Sequence, residues 1–193
     1  MVTGPDLGAL LDAWDREVWD SGLAPNHCIL GTRTLHEVLK RVGVDSRVVT
    51  VETLAANREA AALIERNVPV PSWPKTAWSV GATMSAPGEG YPGHLVLLVE
   101  AEESTYLLDS STGQFRREQY GIETPPSLMV GVPSSDWPTD PRVGVRFDTP
   151  AWMIEWMWAP NLGKLHRSAP DWRYGRSDHV DRVLESWGVL TKS

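Results

Sequence analysis

The sequence predicts an α+β domain in which helices near the N-terminus pack on an antiparallel sheet, with further strands and a helix added behind them. Three observations carry that expectation. Residues 93–100 and 105–109 are short β-branched and aliphatic runs separated by the polar run 101–104, the pattern of a β-hairpin buried on both faces. Cys28, Thr32, Leu35, Leu39 and Val42 recur at alternating steps of four and three, with Val38 widening the stripe, which makes one face of an amphipathic helix. Between the two lies 47–53, with the β-branched content of a strand.

Taken in order, residues 6–20 read as a helix with Leu7, Leu10, Leu11, Trp14 and Val18 on its apolar side, started by Pro5 and Asp6 and stopped at Ser21 and Gly22. Pro25 and Asn26 precede the Cys28 helix, which has Lys40 and Arg41 in its last turn and Gly43 just beyond. Residues 54–67 are rich in helix formers, and the prolines of 69–74 enforce an extended or turning path. A short strand is expected over 78–84, then a Gly- and Pro-rich connection leading straight into His94. It ends in no phosphate-binding fingerprint. Strands are expected over 128–132 and 143–147, joined by a turn-rich stretch. Residues 151–159 are intensely apolar but too short to span a bilayer, 161–174 read as loop, and 177–188 as a terminal amphipathic helix. The chain is read as a single domain over 1–193, with its core at roughly 22–132 and a Trp-rich elaboration at 133–193.

Composition narrows the function. The net charge of −7 argues against broad binding to nucleic acid or to an anionic membrane surface. A single cysteine excludes an internal disulfide and a cysteine zinc site. Together with an N-terminus lacking a basic segment followed by an apolar run, it sets the expectation of a reducing, cytoplasmic location. His166 and His179, with Asp171, Asp178 and Asp181, repeat no ligand spacing, so neither metal nor cofactor is expected.

The hairpin carries the chemistry. His94 opens its first strand and Asp109 closes its second. Directly opposed residues have Cβ atoms about 5 Å apart and diagonal ones about 7–8 Å, so an imidazole reaches the carboxylate in either register. A histidine oriented by a carboxylate is half of a nucleophilic site. Cys28 supplies the other half. Alone it would be a small buried hydrophobe, but at a helix start the unsatisfied N–H groups favour a thiolate and can hold an oxyanion. His27 points elsewhere if its segment is helical, and His36 is expected to be a solvated helix residue.

A cysteine opening a helix, Val48–Val51 as the strand after it, Gly93 and His94 opening the next, and Leu107, Leu108 and Asp109 followed by Ser110, Ser111, Thr112, Gln114 and Phe115 together resemble the transglutaminase-like branch of the papain-like thiol enzymes, to whose wider group the arylamine N-acetyltransferases also belong. The likeness spans about residues 26–115. It implies a papain-like fold and a Cys28–His94–Asp109 triad forming an acyl-enzyme at an amide or glutamine-type side chain of a peptide or protein, as in a protease, amidase, deamidase or transglutaminase. The papain-type glutamine upstream of the cysteine and the acetyltransferase Arg-Gly-Gly lead-in are both missing. A different class of function is a scaffold without activity that binds protein through Trp152, Trp156 and Trp158, and the same tryptophans would serve a homo-oligomer contact.

Overall fold

The computed structural model describes residues 6–19, 28–82, 93–101, 104–132, 137, 144–162, 164–174 and 177–189. Seven strands form one antiparallel sheet that is nearly closed into a barrel. They are β1 (Ser46–Asn57), β2 (Ser79–Ala82), β3 (His94–Ala101), β4 (Ser104–Asp109), β5 (Leu128–Gly131), β6 (Gly144–Asp148) and β7 (Trp152–Trp158). The spatial order is β5-β4-β3-β1-β7-β6, and β2 pairs with β1 off that path.

β1 organises the sheet. Its first half pairs with β3 from Ser46↔Val99 to Val51↔His94, and its second half pairs with β7 from Val51↔Trp158 to Asn57↔Trp152. It also continues past Thr53, where helix formers predict a helix. Ala55 and Ala56 are fully buried in the strand, and the helix α3 starts only at Arg58 (Arg58–Glu65). Pairing on both edges overrides the helix preference of alanine. Asn57 makes the switch, its Oδ1 accepting from the Ala60 N–H at 3.0 Å as the cap of α3.

Helices α1 (Leu7–Trp14), α2 (Cys28–Arg41) and α5 (Ser177–Trp187) cover one face of the sheet. Leu10, Leu35, Leu39 and Val183 pack there against Leu97 and Leu108. The helix expected over 6–20 widens after Trp14 into a π-helical turn, Asp15–Trp19. The barrel interior is a second core built from Val51, Val96, Leu98, Leu107, Phe115, Ile122, Ile154 and Trp156. Residues 161–174, expected as loop, form short 3₁₀ turns and the helix α4 (Pro170–Tyr174).

The C-terminal third is part of the core and not an elaboration of it. β7 lies beside β1 in the middle of the sheet, and α5 packs in the helical layer. The same placement corrects the expectation of a tryptophan contact surface, because Trp152 is 6 % and Trp156 0 % exposed, their indoles taken up by the barrel interior. Only Trp158 stays half-buried.

Two contacts seat α2 on the sheet next to the hairpin. The Thr32 hydroxyl donates to the Leu95 carbonyl at 3.0 Å, and Gly31 presses on Ser110, where an added Cβ would lie 2.4 Å from the hydroxyl oxygen and 3.0 Å from the Trp14 ring. In an open helix Gly→Ala gains about 1 kcal/mol. Here Gly31→Ala must shift α2 or Ser110, so it is expected to lower stability by about 1–3 kcal/mol in urea unfolding.

Candidate functional site

His94 sits at the start of β3 and Asp109 at the end of β4, both with 0 % exposure. Each strand runs one residue beyond its predicted end, so that only residues 102 and 103 separate them. The register Leu97↔Leu108 and Glu100↔Thr105 makes Asp109 the diagonal neighbour of His94 on the same face. The ring and the carboxylate meet there, His94 Nε2 lying 2.7 Å from Asp109 Oδ2.

Three further donors hold the carboxylate. The Trp156 indole N–H donates to Asp109 Oδ2 at 2.8 Å. The Ser111 backbone N–H donates to Oδ1 at 3.0 Å, and the Ser111 hydroxyl lies 3.5 Å from the same oxygen. A buried carboxylate is tolerated only when its oxygens are occupied in this way. Next door the Trp14 indole donates to the Ser110 carbonyl at 3.0 Å, tying the turn after Asp109 to α1.

Cys28 opens α2, with no acidic residue in the first turn and Lys40 and Arg41 in the last. Cys28 and Thr32 stand one turn apart on the same helix face. As Thr32 bonds to Leu95, the residue following His94, Cys28 is brought beside the imidazole, whose pKa it raises. With Nε2 committed to Asp109, Nδ1 is the ring's other polar position. The Gln114 amide reaches that position, its Nε2 2.8 Å from His94 Nδ1, and Phe115 packs edge-on against the ring at 5.3 Å. Cys28 is buried at 8 % exposure, and its two partners at 0 %.

Burial alone would push the His94 pKa down. The Asp109 charge and hydrogen bond outweigh it, the Cys28 contact adds to them, and the pKa is raised from 6.5 to about 10. The imidazolium form is therefore favoured at neutral pH.

Sequence reasoning named the three residues that meet and missed two that support them. Trp156 lies 47 residues beyond Asp109 and reaches it only through the pairing of β7 with β1. Gln114 stands in the stretch singled out after Asp109, but nothing in its spacing gave it a place beside the ring. The other histidines stand apart. His36 is half-buried, bonded to Ser46 Oγ at 2.8 Å, and desolvation lowers its pKa; its position against the start of β1 corrects the solvated residue expected there. His166 packs on Trp172, and burial and then Arg167 lower its pKa to about 4. His179 is buried 3.8 Å from Asp178. His27 lies outside the described residues.

Comparison with protein-family models, with curated proteins and with solved structures returns no match. The chemistry is therefore argued from the geometry alone.

Two outcomes follow. Trp156→Phe leaves a buried charged oxygen short of a donor, so it is expected to cost about 1–3 kcal/mol in urea unfolding. The second concerns pH. The folded pKa of His94 lies above its unfolded value, so its contribution to stability is complete below about pH 6.5 and is lost as pH rises through about 10. The urea midpoint of the wild type is expected to approach that of Asp109→Asn between pH 7 and 10. A constant gap between the two would contradict the assignment.

Proposed function

We propose that this chain is a cysteine-dependent acyl-transfer enzyme of papain-like, transglutaminase-like architecture, acting on an amide of a peptide or protein. One observation carries the reading: Cys28 opens α2 beside the His94 ring, and that ring is bonded at 2.7 Å to the buried Asp109 carboxylate. Sulfur, imidazole and carboxylate in that order are what nucleophilic acyl transfer requires.

In this reading the Cys28 thiolate attacks the amide carbonyl carbon, forming the C–S bond and placing negative charge on the carbonyl oxygen. The N–H groups of the first turn of α2 lie where they favour that charge. The His94 imidazolium gives its proton to the departing amine as the C–N bond breaks, leaving a thioester. Water, or a second amine, then attacks the thioester carbonyl. His94 takes the proton from the attacking group, and the C–S bond breaks to return the thiolate. Asp109 fixes the ring through Nε2, while Trp156 and Ser111 keep the carboxylate from turning. Hydrolysis and transfer share every step up to the thioester, so the accepting nucleophile separates protease or deamidase from transglutaminase.

The reading is tested on a casein substrate, with and without a fluorescent primary amine, following released peptides, ammonia and amine incorporation. Cys28→Ser is expected to abolish turnover and His94→Ala to lower it by about 10²–10⁴-fold. Iodoacetamide at pH 7 is expected to label Cys28 stoichiometrically in the wild type and about tenfold more slowly, or slower still, in His94→Ala. Labelling indifferent to His94, together with no turnover, would reject an enzymatic role.

A further inference from the structure

A groove of about 560 Å³ lies outside the barrel, between α2, the first half of β1 and the segment that follows β7. Its floor is strand edge. The Ala159 N–H donates to the Thr50 carbonyl at 3.0 Å, so Thr50 directs its backbone groups away from β3 and toward the β7 side. With the period of two along a strand, Ser46 and Val48 direct theirs the same way. Yet β7 pairs with β1 only as far as Val51↔Trp158, and among the described residues no strand pairs with that edge over Ser46–Val49. The reason is local. After Ala159 the chain leaves the strand direction and turns off into the 3₁₀ turn Pro160–Leu162, which the fixed φ of Pro160 opens.

The walls carry a consistent charge. Arg47, Lys164 and Arg167 line the groove and are exposed, and among the described residues no carboxylate lines it, on a protein whose net charge is −7. Trp158 and Trp172, both half-buried, provide apolar surface on the same walls. The Arg33 guanidinium sits 5.7 Å from the Trp172 ring and donates to the Trp172 carbonyl, fixing that wall to α2. A half-open edge on an interior strand is a template for another chain, and cations beside it select the sign of that chain.

We propose that this groove binds an acidic peptide segment in extended form, which adds as a strand to β1 at Ser46–Val49 and places its carboxylates on Arg47, Lys164 and Arg167. The peptide's backbone N–H and C=O groups take up those of Ser46 and Val48, and its apolar side chains lie against Trp158 and Trp172. The site stands on its own observations and does not depend on the Cys28 chemistry.

The test uses the full chain carrying Cys28→Ser, so that no turnover consumes the probe, and a fluorescein-labelled hexapeptide of alternating Glu and Val followed by anisotropy. Saturable binding is expected, weakening as salt rises. Replacing the peptide's Glu by Lys is expected to abolish it, and the double variant Lys164→Glu, Arg167→Glu to weaken it at least tenfold. N-methylating alternate peptide nitrogens is expected to weaken binding at least tenfold in the phase that faces β1 and little in the other phase. No saturable binding, equal binding of the Lys peptide, or equal binding by the double variant would overturn the proposal. So would equal tolerance of both N-methylation phases with full displacement by inorganic phosphate, which would indicate a small-anion site without strand addition.

Discussion

Asp109 has no access to water, so the cost of its charge must be offset by groups that the fold brings to it from three separate stretches of chain. The His94 ring comes from the partner strand of its hairpin, the Trp156 indole from β7, and the Ser111 N–H from the turn that follows. The hairpin must hold its register, because a slip of one residue would send His94 to the other face of the sheet. β7 must lie against β1, because only there does Trp156 come within reach. The turn after Asp109 must hold its shape, and Trp14 and Gly31 fix it from the helical side. A large share of the architecture thus serves to make one carboxylate tolerable where it stands.

Once held, the carboxylate determines the state of the ring. Desolvation works against a charged imidazole, and the adjacent anion works for it more strongly. With Nε2 committed to Asp109, the ring's Nδ1 lies 2.8 Å from the Gln114 amide, and α2 brings Cys28 beside the ring. Cys28 sits at a helix start, where backbone N–H groups are unsatisfied within the helix, and the residue is 8 % exposed while the two groups behind it have no exposure. The proposed chemistry follows from that asymmetry.

Much of this was legible in the residues, and the limits have physical causes. Cys28, His94 and Asp109 each fall at the end of a regular element, where local pattern is clear, and the hairpin relation between the last two needs only local pairing. Trp156 was not legible as part of the site because its pairing with β1 joins stretches about a hundred residues apart, a distance over which periodicity carries no information. The same pairing explains why Leu54–Ala56 read as helix and folds as strand, and why tryptophans that read as a contact surface are buried.

The central claim is that Asp109 keeps the His94 ring protonated beside Cys28. NMR of the His94 ring nitrogens, with ¹⁵N-labelled histidine and assignment by His94→Gln, measures this directly. The account predicts that both nitrogens remain protonated through neutral pH and titrate only toward about 10, and that Asp109→Asn brings the transition down. A neutral ring at pH 7, or a transition near 6.5 that Asp109→Asn leaves in place, would contradict it.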